Sequence, residues 1–169
     1  MTDPHRLASV LADWLSARHP DTRNIAVDNL RNPSQGYSNE TWLCDVAWNR
    51  SGRRESRALV LRIQTTVVGT FPDYDLGKQY RCMATLQDSD VPVPRLFGFE
   101  QDPAVLGAPF FLMERVDGRV PNENPLYHLE GWLHDLPEDE QADHWMQGID
   151  AFAALARIDA WERGFEFLL

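Results

Sequence analysis

One arginine interrupts the apolar run Ala58-Leu59-Val60-Leu61-Arg62-Ile63. A short apolar run bounded by polar residues is typical of a buried strand. Because side chains alternate across a strand, Arg62 shares a face with Ala58 and Val60. A buried guanidinium is costly unless an anion meets it. The run therefore predicts either an anionic ligand near Arg62 or an edge strand from which this side chain reaches solvent over its stem.

A second strand is predicted just before this run. Its residues alternate between an apolar and a polar face, with Trp42, Cys44, Val46 and Trp48 on the first and Thr41, Asp45 and Asn49 on the second. Strict alternation of this kind indicates a half-buried strand. Between the two strands, Ser51-Gly52 predicts a hairpin turn within Asn49–Arg53. The two strands should therefore pair antiparallel.

Two helices are predicted around these strands. Asp3-Pro4 is a helix start, and apolar residues then recur at helical spacing until Pro20. A second helix should open at Pro72-Asp73, cross over the sheet and end near Asp88. The apolar stripe of the first helix is Leu7, Val10, Leu11, Trp14 and Leu15, and that of the second is Leu76, Tyr80, Met83 and Ala84.

Further strands follow the second helix. The stretch Val91-Pro92-Val93-Pro94 cannot lie in a central strand, because proline lacks the donor that a ladder needs. It can lead into a strand, and two more are predicted at Arg95–Phe99 and Ala108–Glu114. The expected fold class is α+β, with a sheet of about five antiparallel strands.

The composition excludes several classes of protein. A net charge of −10, with 16 scattered Lys and Arg residues, disfavours a nucleic-acid partner. The longest uncharged apolar run, Pro103–Met113, is too short to cross a bilayer, so no membrane is expected. Cys44 and Cys82 lack the spacing of a disulfide scaffold or a zinc site and should be reduced core residues. The start of the chain lacks the apolar core of a signal peptide, so we expect a cytoplasmic protein.

The character of the chain changes after Gly118. Between Pro121 and Ala156 there are eight Asp or Glu residues and no Lys or Arg. The simplest interpretation is a solvated surface, and the alternative is an electrostatic lure for a cationic substrate. A capping box of Asp135 and Glu138 predicts the start of a long helix. The apolar stripe of that helix would be Trp145, Ile149, Phe152 and Ala156.

Two further segments could contact an anionic or aromatic ligand. The turn Gln35–Asn39 combines a flexible glycine with hydroxyl and amide donors, namely Gly36, Tyr37, Ser38 and Asn39, although such a turn is also common without any ligand. The segment Met113–Val116 leaves a strand, so Glu114 and Val116 could offer backbone groups to a ligand, or the strand could simply end in a turn at Gly118.

In order and spacing, these segments resemble the aminoglycoside phosphotransferase and choline kinase-like family. The resemblance runs from about Asn32 to Leu169. Its segments here are Gln35–Asn39, Val60–Arg62, Lys78–Tyr80, Val91–Pro94, Leu106–Phe110, Met113–Gly118 and Leu155–Asp159. It implies a protein-kinase-like amino-terminal lobe that binds ATP with Mg²⁺ and serves transfer of the γ-phosphoryl group to a small-molecule hydroxyl substrate. We accordingly expect an N-terminal helix over residues 1–20, a nucleotide-binding lobe over 21–118 and the first helices of a carboxy-terminal lobe over 119–169.

The same resemblance implies roles for individual residues. Arg62 takes the place of the phosphate-binding lysine, and the 35–39 loop covers the phosphates. Glu114 and Val116, on the segment that starts at Met113, contact adenine. Gln79 stands where the family usually has a glutamate that pairs with the strand cation, and a neutral amide would hold that cation more loosely, by roughly 1 to 2 kcal/mol. Asp75 is a possible substitute.

The catalytic loop of the family has no counterpart in this sequence. We assign no catalytic base and no metal ligand within residues 1–169, and we expect the Mg²⁺ ligands beyond residue 169. This span alone should therefore be inactive, with the missing carboxy-terminal lobe as its partner. His128, His134 and His144 match no zinc or nucleophile spacing and are predicted to be surface or packing residues. Two rivals stay open: a non-catalytic kinase-like binding module and a generic α+β interaction domain.

Overall fold

The computed structural model describes residues 3–33, 40–65 and 75–168. The chain divides into two compact units, Met1–Ala84 with Pro94–Arg115, and Thr85–Val93 with Val116–Leu169. The elements in chain order are α1 (Pro4–Arg18), β1 (Thr22–Arg31), β2 (Glu40–Arg50), β3 (Arg53–Ile63), α2 (Leu76–Leu86), β4 (Leu96–Glu100), α3 (Pro103–Leu106), β5 (Phe110–Glu114), α4 (Glu138–Ala156) and a closing 3₁₀ turn (Glu166–Leu168).

The first unit is built on a five-stranded sheet with the order β1-β2-β3-β5-β4. All four neighbouring pairs are antiparallel. The prediction of an α+β fold with about five antiparallel strands is thus confirmed. Strand β3 is the central strand, although the sequence left open whether Arg62 lies on an edge.

The predicted hairpin joins β2 to β3. Arg50 pairs with Arg53, and the two residues between them, Ser51 and Gly52, have φ angles of 50° and 76°. Two consecutive positive φ values define the tight turn whose twist suits a hairpin. The apolar face of β2 is buried at the four positions that the alternation predicted, Trp42, Cys44, Val46 and Trp48.

Helix α1 covers one face of the sheet. Asp3 caps its first turn, where Oδ1 accepts a hydrogen bond from the His5 N–H at 3.1 Å. Most of the predicted stripe is buried against the sheet, and the Trp14 ring lies 5.0 Å from the Phe110 ring. Fully buried residues of β3, Leu59 and Leu61, belong to the same core. We call this side of the sheet the α1 face.

Helix α2 covers the opposite face, which we call the α2 face. The Tyr80 ring stacks on Phe99 at 5.2 Å and tilts against Phe111 at 5.7 Å. Phe99 and Phe111 are register partners on β4 and β5, so both rings stand on the same side of the sheet. The helix begins at Leu76, and its predicted opening at Pro72-Asp73 lies outside the described residues.

The short helix α3 has no counterpart among the predictions from sequence. Asp102 caps it by accepting a hydrogen bond from the Ala104 N–H at 2.8 Å, and Gly107 ends it with a φ of 91°. An Asp-Pro start and a glycine in the left-handed conformation are ordinary helix boundaries. One turn of helix is too short to produce an apolar stripe, so periodicity could not reveal it.

The second unit contains α4, which differs from its prediction in two respects. The helix begins at Glu138 with no side-chain cap, and Asp135 contacts His134 at 3.1 Å, so the predicted capping box is wrong. The predicted stripe is largely exposed to solvent, with Trp145 56%, Ile149 53% and Phe152 72% exposed. Among the helices of the described ranges, none is long and apolar enough to cross a membrane.

Candidate functional site

Strand β3 places Arg62 in the middle of the sheet. Its register partners are Thr41 on β2 and Phe111 on β5. Arg62 projects toward the α2 face, because its neighbours Leu61 and Ile63 belong to the core on the α1 face. The edge-strand interpretation of this residue is therefore wrong, since a strand lies on each side of β3.

The guanidinium of Arg62 is partly buried and incompletely satisfied. Its Nε atom is inaccessible to solvent and has no hydrogen-bond partner within the part of the chain that the structure describes. Burial lowers the pKa of Arg62, because desolvation disfavours the charged form. Any acceptor that reaches this buried donor stabilises the folded chain, and an anion stabilises it most.

Thr41, Val60, Phe111 and Met113 surround Arg62 on the same face. Val60 pairs with Met113, and both lie two residues from the Arg62–Phe111 pair. Phe111 is fully buried, whereas Met113 is partly exposed. The cation thus stands at the border between an apolar surface and solvent, where an aromatic group and a phosphate could both find partners.

Helix α2 supplies no counter-charge to this cation. Gln79 is partly exposed on the helix, and no hydrogen bond joins it to Arg62 within the described ranges. Asp75 acts as a helix cap, since its Oδ1 accepts a hydrogen bond from the Lys78 N–H at 2.9 Å. Gln64, which follows β3, accepts a hydrogen bond from the Leu76 N–H at 3.3 Å through its Oε1. This last contact ties the helix start to the strand that carries Arg62, and no sequence pattern predicts it.

Glu114 ends the sheet, and Val116 begins the second unit. The Glu114 N–H donates to the Arg95 carbonyl at 2.7 Å, and the Arg115 N–H donates to the Ala58 carbonyl at 2.9 Å. The N–H group of Glu114 is therefore used within the sheet and is not available to a ligand. Val116 is 72% exposed. The roles of Glu114 and Val116 as adenine contacts stay predictions.

The other predicted residues give mixed results. The loop residues Gly36, Tyr37, Ser38 and Asn39 lie outside the described residues. In the second unit, all eight carboxylates of the acidic stretch are exposed, as are His128, His134 and His144. Within the described ranges, no group of three or more His, Cys, Asp or Glu residues could hold a metal ion.

Both cysteines are free, and Cys44 is buried as predicted, whereas Cys82 is only partly buried.

The second unit has a cavity of its own, of about 670 Å³, bounded by α4 and the segment before it. The rings of Tyr127, Trp132 and Trp145 line it, and Arg119 stacks over Trp132 at 4.4 Å. The walls are mainly apolar. Trp145 is predicted from the sequence only as part of a helical stripe, and the other two rings are not predicted.

Comparison with protein families and solved structures gives concordant results. The model of the phosphotransferase enzyme family matches residues 29–169. The crystal structure of a candidate aminoglycoside phosphotransferase from Ralstonia eutropha JMP134 matches 94% of this chain and 40% of that chain, with a TM-score of 0.59 and 23% identity. This likeness shows that the two proteins share a fold.

Two curated proteins match part of the sequence. The Arabidopsis thaliana protein named probable acyl-CoA dehydrogenase IBR3 is 30% identical over 115 residues, which cover 60% of this chain and 14% of that protein. Acyl-CoA dehydrogenase family member 10 of Mus musculus is 30% identical over 95 residues, which cover 56% of this chain and 8% of that protein. The chain therefore spans a small part of either relative.

Proposed function

Because this chain belongs to the phosphotransferase enzyme family, we propose that the complete protein is an ATP-dependent small-molecule kinase. It would transfer the γ-phosphoryl group of ATP to a hydroxyl group of its substrate. Residues 1–169 would bind the nucleotide and would not complete the reaction alone, since no catalytic base is assigned among them. Phosphoryl transfer depends mainly on positioning and on stabilising charge, so a separate nucleotide-binding part is compatible with this chemistry.

The observation that carries the proposal is the state of Arg62. Its Nε–H is buried on the central strand with no acceptor among the described residues. A buried unsatisfied donor is rare in folded proteins and often marks a functional position. Phosphate oxygens supply acceptors and charge together, and a guanidinium can bind two of them at once. Arg62 therefore suits the α- and β-phosphates of ATP.

The remaining contacts of the nucleotide follow from the family resemblance. The loop of Gly36, Tyr37, Ser38 and Asn39 would cover the phosphates. Backbone groups of Glu114 and Val116 would bind the adenine edge, beside the Met113 side chain. Mg²⁺ accompanies ATP in this chemistry and neutralises phosphate charge when it is bound. By the same resemblance, its protein ligands would lie beyond residue 169.

The apolar stripe of α4 supports a further part of this proposal. Trp145, Ile149 and Phe152 are exposed over more than half of their surfaces. Exposed apolar patches of this kind usually mark an interaction site. We propose that the remainder of a helical carboxy-terminal lobe covers them, since the solved structure that shares this fold is more than twice as long. Extending the expressed chain beyond residue 169 should then protect amide protons of α4 from exchange.

Nucleotide affinity tests the proposal directly. MgATP titrated into this chain should bind, and Arg62→Met should weaken binding by about tenfold or more, since charge-assisted hydrogen bonds contribute about 1.5–3 kcal/mol. Arg62→Lys should retain most of the affinity because it keeps the charge. Arg54→Met is the matched control, because Arg54 is an exposed residue on the same face of the same strand. Equal affinity in all four proteins would refute the assignment.

A non-catalytic binding module is the second candidate. The observation that favours it is the absence of a carboxylate partner for Arg62 on α2, where Gln79 stands. In a longer protein that includes the second lobe, MgATP binding without phosphoryl transfer to any hydroxyl compound would support this alternative. Gln79→Glu should then raise MgATP affinity without restoring transfer, whereas in an active kinase it should leave the reaction intact.

A further inference from the structure

A small cavity lies on the α1 face of the sheet, opposite the side that carries Arg62. It measures about 150 Å³, and Leu15 and His19 line it at the carboxy-terminal end of α1. Val46 and Leu59, which are almost fully buried, belong to its lining. Three arginines line it as well, Arg50 on β2, Arg57 on β3 and Arg95 just before β4. We call it the basic cavity.

The charge around the basic cavity is positive in a chain whose net charge is −10. Glu55 is the one acidic residue among its described lining residues. Arg50 Nε lies 2.8 Å from Asp21 Oδ2, an ion pair whose atoms are not aligned for a hydrogen bond. Arg57 donates only to the Ser56 carbonyl, at 2.8 Å, and neither Arg57 nor Arg95 forms an ion pair in the described part of the chain. Among the residues that the structure describes, these two guanidinium groups therefore have no carboxylate partner.

Trp48 provides a second, independent observation. Its side chain lines the basic cavity and is only 8% exposed. The indole Nε1–H is buried and has no hydrogen-bond partner within the described residues. The guanidinium carbons of Arg50 and Arg57 each lie 6.0 Å from the ring. A buried donor thus stands beside the arginines without an acceptor among the described residues, which costs stability unless something supplies one.

The shape of the cavity restricts the ligand. A volume of about 150 Å³ is enough for a benzene-sized body and too small for a nucleotide. Apolar walls formed by side chains such as Leu15, Ile25 and Phe97 suit a hydrocarbon body, and the arginines and the indole N–H suit an anionic end. A carboxylate can accept from two guanidinium donors and from an N–H group at once.

We propose that the basic cavity binds a small organic monocarboxylate, with its apolar body against Val46 and Leu59 and its carboxylate between Arg57 and Trp48. The site is separate from the proposed nucleotide site, because the residues of β3 that form it alternate with Arg62 across the strand. The proposal rests on the cavity, the unpaired arginines and the buried indole donor, and it does not depend on the kinase assignment.

Benzoate is the probe for this proposal, since it combines a benzene ring with one carboxylate. In a ¹⁵N-labelled sample of the whole chain, the six tryptophans give separate indole N–H signals. Trp48→Phe identifies the signal of Trp48. Benzoate should shift that signal in a saturable manner, with a Kd of about 1 mM or tighter. Neutral benzamide and inorganic phosphate should each bind at least tenfold more weakly.

Arginine variants separate the site from general charge effects. Arg57→Gln should weaken benzoate binding at least fivefold, whereas Arg54→Gln, the same charge change on the other face of β3, should alter it less than twofold. Both positions are exposed, so both variants should fold even if Trp48→Phe does not. Calorimetric titration gives the same comparison without signal assignment. The proposal is overturned by no saturable binding up to 50 mM benzoate, equal binding of benzamide or phosphate, or equal losses in the two arginine variants.

Discussion

Replacing Arg62 by methionine should stabilise the nucleotide-free chain and reduce its stabilisation by nucleotide. Methionine keeps a long apolar stem against Phe111 and removes the buried Nε–H that has no acceptor among the described residues. A buried unsatisfied donor costs about 1–3 kcal/mol. Because the guanidinium is partly exposed, we expect the lower end, a gain of about 1 kcal/mol in the free energy of unfolding. The lowered pKa of Arg62 agrees with this expected gain, since burial disfavours the charged form of the guanidinium in the folded chain.

Bound MgATP should reverse the order of stability of the wild-type chain and Arg62→Met. A ligand that binds only the folded chain adds about 2.7 kcal/mol of stability at one hundred times its Kd. The wild-type chain should gain this amount with MgATP, and Arg62→Met should gain much less. The variant would then be the more stable protein without nucleotide and the less stable one with it.

Urea unfolding with and without MgATP measures both effects. A gain of about 1 kcal/mol raises the midpoint by roughly 0.5 M for a urea slope of about 2 kcal/mol per molar. Far-UV circular dichroism and tryptophan fluorescence should give the same midpoint, as two-state unfolding requires. Arg54→Met should change the free energy of unfolding by no more than about 0.5 kcal/mol, with or without MgATP. A loss of stability in nucleotide-free Arg62→Met, or an undiminished MgATP effect, would refute the reasoning.

Two further predictions concern ionisable groups outside the candidate site. The N–H of Asp102 and then the indole N–H of Trp14 lower the pKa of Glu100, so the stability that this carboxylate contributes is present above pH 4.5 and is lost as pH falls through the folded-state pKa. Between pH 7 and pH 3 the wild-type chain should therefore lose about 1 kcal/mol more stability than Glu100→Gln. Equal losses, measured from urea midpoints, would contradict this prediction. Burial raises the pKa of Cys44 to about 12 and leaves its side chain fully covered, so iodoacetamide should modify only Cys82 in the native chain. If mass spectrometry finds Cys44 labelled at a similar rate, the core opens readily and the prediction is wrong.

Local patterns predicted most of the first unit correctly. The alternation of β2, the Ser51-Gly52 turn and the stripe of α1 each depend on residues close in sequence, and each is present in the structure. The capping-box prediction failed because the side chain could take a different partner from the one that the local pattern indicated. Asp135 contacts the neighbouring His134 and does not cap α4, whose first turn instead follows Pro137. A matching sequence spacing could not show which partner that carboxylate takes.

The position of Arg62 was undetermined for a different reason. Whether Arg62 lies on an edge depends on the strands that pair with β3. The pairing that decides it joins Arg62 to Phe111, which is distant in sequence. No local pattern specifies a pairing of that range. The sequence therefore left two interpretations open, and the strand order removed one of them.

The basic cavity shows how an argument from composition can miss a local site. The sixteen Lys and Arg residues are scattered along the sequence, and their scatter disfavours an extended polyanion such as nucleic acid. Arg50 and Arg57 are seven residues apart, yet the hairpin brings them to one face on adjacent strands, and Arg95 joins them from a distant segment. Strand alternation thus places two cations beside one buried indole, and Arg95 lines the same cavity. Net charge describes the long-range field of a protein, whereas a site for a small anion depends only on the few groups that the fold places within contact distance.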